Sequence, residues 1–265
     1  MERRVIWRVW SPLAAALLLF LSPCLGRPGS VSYQIKQAAG VRLHLVTANL
    51  DDPQVRVSGV LAWDRIGRSE SFRHMLQRAQ PAAAITGTYF SLRSLLPVGD
   101  VVIDGKVVHQ GEIGTAICFT ADNQVFFVPH SQETKRDWSG CEFVIRGGPR
   151  LLSGGEICLY ARGEGFRQAS LFARNRRTAL GLTRDHKLLL VATNQRIYMS
   201  ELARAMQALG AVDAICLDGG TSSALYYRGS FPVQPGRQLT HALIVYDNSV
   251  RAVSTKPSAV QASKP

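Results

Sequence analysis

Apolar residues fall in short runs that alternate with polar turns along most of the chain, a pattern typical of β-strands. The segments 41–46 and 54–60 alternate between apolar and polar positions, whereas the segment 82–90 is almost wholly apolar. Each of the three predicts a strand. Further short strands, separated by Asp-Gly, glycine or polar turns, are predicted near 101–108, 114–119, 124–128, 142–146 and 241–246.

The second half of the chain predicts a hairpin, a helix and a core strand in succession. The apolar segments 176–182 and 187–193 are joined by a polar turn, which favours a hairpin. Ser200–Gly210 predicts an amphipathic helix, with Ser200 as its N-cap and Gly210 at its C-terminal end. The run 214–217 is wholly apolar and predicts a buried strand. One further helix is predicted over 69–80.

Many strands and few helices predict an α+β fold, a single domain with a mixed, mostly antiparallel β-sheet core and a few packed helices. We place this domain at 41–248, after a short linker over 27–40. The segment 249–265 is rich in Ser, Ala, Lys and Pro and has little to bury, so we expect a disordered tail.

The first 26 residues are typical of a secretory signal peptide. Three arginines precede an apolar stretch from Pro12 to Leu21, and small residues follow near Gly26. That stretch is shorter than the about 20 residues that a membrane span needs. We therefore predict a secreted, periplasmic or cell-envelope protein, with no stable membrane span after signal cleavage.

Export bears on the cysteines, because four of them remain after residue 26 and disulfides persist in oxidising compartments. Cys118 and Cys216 lie in apolar runs and are equally compatible with packed thiols. Cys141 and Cys158 flank a glycine-rich loop and are the favoured bridge. There is no CxxC spacing or His-Cys cluster, so a zinc site is not indicated.

Candidate chemistry centres on Asp218, which directly follows the apolar run 214–217. Gly219 and Gly220 break the strand there, and a turn with three hydroxyl side chains follows. Backbone N–H groups in such a turn can form a concave nest for an anion. The alternative is a tight turn in which Asp218 only caps backbone amides.

The formal net charge is +12, and it stays strongly positive without residues 1–26. The chain shows no helix-turn-helix, zinc-finger or RNA-binding motif, so nucleic acid is not a predicted partner. A phosphorylated sugar or an anionic glycan is the partner that we predict. Guanidinium groups match phosphate oxygens, and several arginines cluster before and within the predicted hairpin. They are Arg162, Arg167, Arg174, Arg176, Arg177 and Arg184.

Taken in order, several blocks of the sequence resemble the phosphodiester glycosidase family. The likeness covers roughly Val41 to Asp247, nearly the whole chain after the predicted signal. The blocks are Ile85–Phe90 with Pro97, Gly99 and Ile103–Gly105, then Gly147–Leu152, Arg177–Gly181, Glu201–Ala203 with Leu209–Ala211, and Leu217–Gly220 with Ser222 and Ser223.

The sequence departs from this family's usual pattern at four positions, one of which is Thr221, where a third glycine often follows the glycine pair. The family usually has Asn-Gly-Gly before its Tyr-Phe pair, where this chain has Thr86 and Thr88 on either side of Gly87. It usually has Asn before Leu-Asp-Gly-Gly, where this chain has Cys216. An Asn amide is both a donor and an acceptor, and Thr86 offers only a shorter hydroxyl.

The resemblance implies a hydrolase that cleaves the glycosidic bond of sugar-1-phosphodiesters, either N-acetylglucosamine-1-phosphodiester-like compounds or phosphate-linked envelope glycans. Asp218 is the predicted catalytic carboxylate, as general base or electrostatic stabiliser, and Arg177 is the predicted phosphate contact. The predicted substrate-binding residues are Thr86, Gly87, Tyr89, Gly219, Gly220, Thr221, Ser222 and Ser223.

Two alternatives remain open at this point. The first is a non-catalytic protein of the cell envelope, or of exopolysaccharide assembly, that binds anionic polysaccharide through the same basic pocket. The second is cleavage at phosphorus, which would release a sugar phosphate. No cofactor is predicted. Asp100, Asp104 and Asp218 together could hold a cation such as calcium, although nothing else in the sequence indicates one.

Overall fold

Strand pairing organises the described part of the chain into three antiparallel sheets. The computed structural model describes residues 29–130 and 136–249, so the predicted signal peptide (1–26) and almost all of the predicted tail (249–265) lie outside the described residues. The helices are α1 (Phe72–Ala79), α2 (Ala169–Phe172) and α3 (Met199–Ala208). The strands are β1 (Val31–Ala38), β2 (Val41–Asn49), β3 (Val55–Leu61), β4 (Ala83–Thr86), β5 (Val101–Ile103), β6 (Lys106–His109), β7 (Thr115–Phe119), β8 (Val125–Val128), β9 (Phe143–Gly147), β10 (Arg150–Ser153), β11 (Glu156–Ile157), β12 (Thr178–Thr183), β13 (Lys187–Ala192), β14 (Ala211–Cys216), β15 (Leu225–Tyr227), β16 (Ser230–Val233) and β17 (His241–Asp247).

The three sheets differ in size. The central sheet has seven strands in the order β1-β2-β13-β12-β14-β10-β11, and two five-stranded sheets have the orders β16-β15-β4-β17-β3 and β6-β5-β9-β7-β8. The structure is 43% strand and 13% helical, so the predicted α+β class is confirmed only in part, because the structure is richer in sheet than a balanced α+β fold. The predicted predominance of antiparallel pairing is confirmed, but no parallel pair occurs among the named strands of the described residues.

Both faces of the central sheet are buried, which explains why its middle strands are continuous apolar runs. One face packs against the two smaller sheets in a shared core that includes Leu180, Ile215 and Leu243. The opposite face packs against α3, where Leu202 and Met206 belong to a second core.

The predicted helices are present with small differences at their ends. Ser71 caps α1, since its hydroxyl accepts a hydrogen bond from the His74 N–H at 3.2 Å. The N-cap of α3 is Tyr198 rather than the predicted Ser200, and the Tyr198 N–H donates to the Glu201 carboxylate at 2.7 Å. Gly210 follows the helix with a φ of +86°, as its predicted place at the C-terminal end requires.

The predicted linker over 27–40 is wrong for most of its length. Its residues 31–38 form β1, which pairs with β2 at eight positions on the edge of the central sheet. Most side chains between Val31 and Ala38 are exposed, because an edge strand with one covered face needs few apolar residues.

The predicted bridge between Cys141 and Cys158 is also wrong, since all four described cysteines are free thiols. Cys141 packs with Cys118 and Trp138 in a small core that does not include Cys158. Cys118 and Cys216 are fully buried, which confirms their alternative interpretation as packed thiols.

None of the described helices has the length and apolarity that a bilayer crossing demands.

Candidate active site

The pairing of β12 with β14 brings the two predicted catalytic residues to one edge of the central sheet. Ala179 lies opposite Cys216 in this antiparallel ladder, and the same register continued by two residues places Arg177 opposite Asp218. The Leu217 N–H donates to the Thr178 carbonyl at 3.0 Å, and the Thr178 hydroxyl donates to the Asp218 carbonyl at 2.6 Å. Residues 41 positions apart in sequence are therefore neighbours.

The end of β4 meets the same edge. The Asp218 N–H donates to the Gly87 carbonyl at 3.1 Å, which links the central sheet to a smaller one. Gly87 lies against His241 so closely that a Cβ at this position would be 2.3 Å from the His241 Cδ2 atom. Burial lowers the pKa of His241 to about 3, and its neutral ring accepts the Thr88 N–H at Nε2, 3.0 Å away.

A cavity of about 920 Å³ opens at this junction, within the size range of ligand sites. Both predicted catalytic residues and five of the predicted substrate-binding residues line it, namely Asp218, Arg177, Tyr89, Gly219, Gly220, Thr221 and Ser222. Thr86, Gly87 and Ser223 do not. Thr86 and Ser223 are buried, and Gly87 is covered by His241, so these three residues form the packing behind the wall.

Asp218 is the one carboxylate among the described residues that line this cavity. Its side chain is half-buried, and it accepts hydrogen bonds from the Ser222 hydroxyl and from the Gly219 N–H, the latter at 2.8 Å. No lysine or arginine nitrogen of the described residues lies within 4.0 Å of it. Burial raises the pKa of Asp218 to about 6, against the opposing effects of Ser222, Gly219 and Arg237.

The turn after Asp218 is not the nest of free N–H groups that the sequence suggests. The Gly219 N–H binds the Asp218 carboxylate, and the Gly220 N–H donates to the Arg176 carbonyl at 2.8 Å. The N–H groups of Ser222 and Ser223 donate to carbonyls within the same turn. Gly219 is required by close packing, since a Cβ there would lie 2.7 Å from the Arg176 carbonyl oxygen. Recognition of an anion therefore falls mainly to side chains.

Five arginines line the cavity and supply positive charge for an anion. Arg177 is almost fully buried, and its guanidinium donates to the carbonyls of Ile197 at 3.3 Å, Leu171 at 2.8 Å and Ala173. These bonds fix it in the cavity wall. The other four are exposed and form no ion pair with any described residue. They are Arg93, Arg167, Arg196 and Arg237.

Sequence reasoning identified Arg167 and Arg177 but missed Arg93, Arg196 and Arg237, which lie in loops outside the predicted cluster. Three other arginines of that cluster have different partners. The guanidinium of Arg162 lies 4.8 Å from the Phe172 ring centroid, and that of Arg174 lies 5.1 Å from the Tyr198 ring centroid. Arg176 donates to the Gly220 carbonyl at 3.0 Å, so it supports the turn itself.

Tyr89 forms an aromatic part of the wall. Its hydroxyl lies 3.4 Å from the Cys216 sulfur, and its ring packs edge-on against Phe166 at 5.5 Å. Burial raises the pKa values of both Tyr89 and Cys216, so both groups stay neutral near pH 7. Cys216, at the position where asparagine is usual, thus fills a buried space beneath the wall.

The three aspartates that could have shared a cation lie apart. Asp100 is buried and accepts hydrogen bonds from Arg136 at 2.8 Å and Trp138 at 3.1 Å, whereas Asp104 pairs with Arg56. Asp218 faces the cavity. No cluster of three His, Cys, Asp or Glu side chains in residues 29–130 and 136–249 could hold a metal ion.

Solved structures share this fold. A hypothetical protein from Synechocystis superposes with a TM-score of 0.70 at 18% identity, over 82% of this chain and 62% of that chain. The chain thus spans less than two thirds of that relative. The catalytic domain of zebrafish N-acetylglucosamine-1-phosphodiester alpha-N-acetylglucosaminidase, auto-inhibited by its pro-peptide, gives a TM-score of 0.66 at 20% identity, over 83% of each chain.

No curated protein sequence matches the chain. The family model for phosphodiester glycosidases, however, matches residues 79–246, which is more than half of the chain. The matched region contains Tyr89, Arg177, Asp218 and Arg237, and with them all the described residues that line the cavity. The chain belongs to the phosphodiester glycosidase family.

Proposed function

We propose that this protein is a hydrolase that cleaves the glycosidic bond of sugar-1-phosphodiesters, with N-acetylglucosamine-1-phosphodiester-like compounds or phosphate-linked envelope glycans as substrates. Family membership supports the reaction class, and the named substrate of the zebrafish neighbour supports the choice of sugar. The observation that carries the proposal is the charge of the cavity, which is lined by five arginines and by one half-buried carboxylate.

Asp218 acts as the general base in this proposal. A water molecule attacks the anomeric carbon, its oxygen forms the new C–O bond, and one of its protons passes to the Asp218 carboxylate. The bond between the anomeric carbon and the phosphate oxygen breaks, and its electron pair leaves with the phosphate. The products are the free sugar and a phosphomonoester.

The arginines stabilise the charge that develops on the leaving group. Negative charge on the phosphate grows as the bond breaks, and fixed guanidinium groups bind it more strongly in the transition state than in the ground state. Phosphate is a good leaving group, so one carboxylate suffices where ordinary glycosidases use two. Arg177 contributes most to the orientation of the phosphate, since three carbonyls hold its guanidinium in place.

Non-catalytic binding of a polyanion is not favoured by this geometry. A site built only to hold negative charge gains nothing from a half-buried carboxylate without a cationic partner within 4.0 Å, because that carboxylate repels the ligand.

Purified protein incubated with an N-acetylglucosamine-1-phosphodiester is expected to release free N-acetylglucosamine and a phosphomonoester. Asp218→Asn should lower kcat by about 10²–10⁴-fold, since the general base is removed. Product chromatography measures the rate, and mass spectrometry after turnover in ¹⁸O-labelled water should find no label in the phosphomonoester.

Asp185→Asn is the matched control, because Asp185 is an exposed carboxylate in the turn between β12 and β13. Its activity should equal that of the wild type. Label in the phosphate would show cleavage at phosphorus, and full activity of Asp218→Asn would remove Asp218 from the mechanism.

The pH dependence of kcat/KM should show a rising limb near pH 6, because the base acts only when ionised and burial raises its pKa to about 6. Arg237→Gln should move this limb to higher pH, since the Arg237 charge lowers the pKa of Asp218. Arg196→Gln removes another cavity charge and should leave the limb in place. A limb that Arg237→Gln does not move would contradict the assignment.

Asp218→Asn is also expected to stabilise the fold at alkaline pH. The pKa of Asp218 rises on folding from 3.8 to about 6. Ionisation of this carboxyl group therefore costs more in the folded than in the unfolded state, and the free energy of unfolding falls as the pH increases through this range. Asparagine stays neutral, so the gain in unfolding free energy should be small at pH 4 and reach at most about 3 kcal/mol at pH 8. Urea denaturation at both pH values measures it, and an equal gain at pH 4 and pH 8 would refute the mechanism.

We also propose that the protein is exported to the periplasm, cell envelope or medium, on the basis of the charged and apolar pattern of residues 1–26. Fractionation of expressing cells followed by N-terminal sequencing should find a mature chain that starts near residue 27. An uncleaved chain in the cytoplasm would refute export.

A further inference from the structure

Two of the buried thiols lie against each other, far from any role in the proposed reaction. Cys118 lies in β7 and Cys141 directly precedes β9 by two residues, and both belong to the small core that also contains Trp138. The pairing of β7 with β9 brings them together, since the Glu142 N–H donates to the Phe119 carbonyl at 2.8 Å. The Cys118 S–H donates a hydrogen bond to the Cys141 sulfur, so the two sulfur atoms are in contact.

The other two cysteines lie elsewhere. Cys216 belongs to the core on the α3 face of the central sheet, where its sulfur lies 3.4 Å from the Tyr89 hydroxyl. Cys158 is half-buried and belongs to neither core. Of the cysteines that the structure describes, Cys118 and Cys141 are therefore the two that can join without rearrangement of the sheets.

The hydrogen bond makes the two thiols differ in reactivity. Burial raises the pKa of both groups, but the Cys118 S–H opposes this rise at Cys141, whereas the same bond adds to the rise at Cys118. Cys141 is also 6% exposed, and Cys118 is 0% exposed. The thiolate is the nucleophile of thiol–disulfide exchange, so Cys141 is the thiol that reacts first.

We propose that Cys118 and Cys141 form a disulfide site, which a small-molecule or protein disulfide donor oxidises, and that the bond locks the loop 136–141 onto β7. The Cys141 thiolate attacks one sulfur of the donor, and half of the donor leaves as a thiolate. The Cys118 thiol then loses its proton to solvent, and its sulfur attacks the Cys141 sulfur and releases the second half. The protein loses two electrons and two protons, and the donor is reduced to two thiols. The inference goes beyond the proposed hydrolysis and does not depend on it.

The loop that this bond would hold is connected to the wall of the candidate site. The Trp138 ring N–H donates to the buried Asp100 carboxylate at 3.1 Å, and the Arg136 guanidinium donates to it at 2.8 Å. The same carboxylate accepts the Gly111 N–H at 2.7 Å. Ile113, two residues further along, lines the large cavity. A bond at Cys141 therefore stabilises a loop whose contacts continue to the cavity wall.

Oxidation of the purified protein with oxidised glutathione tests the assignment. Mass spectrometry of the intact chain should show the loss of two hydrogen atoms, and a proteolytic digest should contain the Cys118 peptide joined to the Cys141 peptide. Because a cross-link restricts the unfolded chain, reduction of this bond with dithiothreitol should lower Tm by about 5–10 °C. Cys158→Ser removes a thiol outside the pair and should behave as the wild type in both measurements.

Cys118→Ala and, independently, Cys141→Ala should form no disulfide within the chain and should have the same Tm with and without reductant. The wild type in its two redox states provides the comparison even where a variant does not fold. Free thiols at both positions after treatment with oxidised glutathione would overturn the proposal. So would a bond from Cys141 to Cys158, or a Tm that reduction of the Cys118–Cys141 bond leaves unchanged.

Discussion

The register between β12 and β14 is the constraint on which the candidate site depends. Adjacent residues of these strands face opposite cores: Leu180 and Ile215 face the smaller sheets, while Ala179 and Cys216 face α3. A slip by one residue would turn each side chain to the wrong core, so burial on both faces fixes the pairing. The alignment of Arg177 with Asp218 is therefore held by hydrophobic packing rather than by any bond between the two side chains.

Local patterns were enough to predict most of the elements and the position of Asp218. The apolar runs of the hairpin and of β14 are long because both faces of the sheet are covered, which makes them easy to recognise. The apolar runs do not indicate which strand pairs with which. The proximity of Arg177 to Asp218 follows from the pairing of β12 with β14, and the sequence indicated it only through the order of family-like blocks.

The remaining differences have physical reasons of the same kind. The sequence predicts a linker over residues 31–38 because an edge strand with few buried side chains lacks a strong apolar pattern. Arg93, Arg196 and Arg237 lie in loops, where tertiary structure alone decides which side chains meet. Thr86, Gly87 and Ser223 are close in sequence to residues of the cavity wall, yet packing against His241 and the neighbouring strands hides them behind it.

The surplus of guanidinium groups over carboxylates also bears on how turnover ends in the proposed reaction. A diester enters with one negative charge, whereas the released monoester carries close to two at neutral pH. In the proposed reaction, the five arginines therefore bind the monoester product more tightly than the diester substrate. For the proposed reaction we therefore expect slow departure of the phosphomonoester and competition by inorganic phosphate for the empty site.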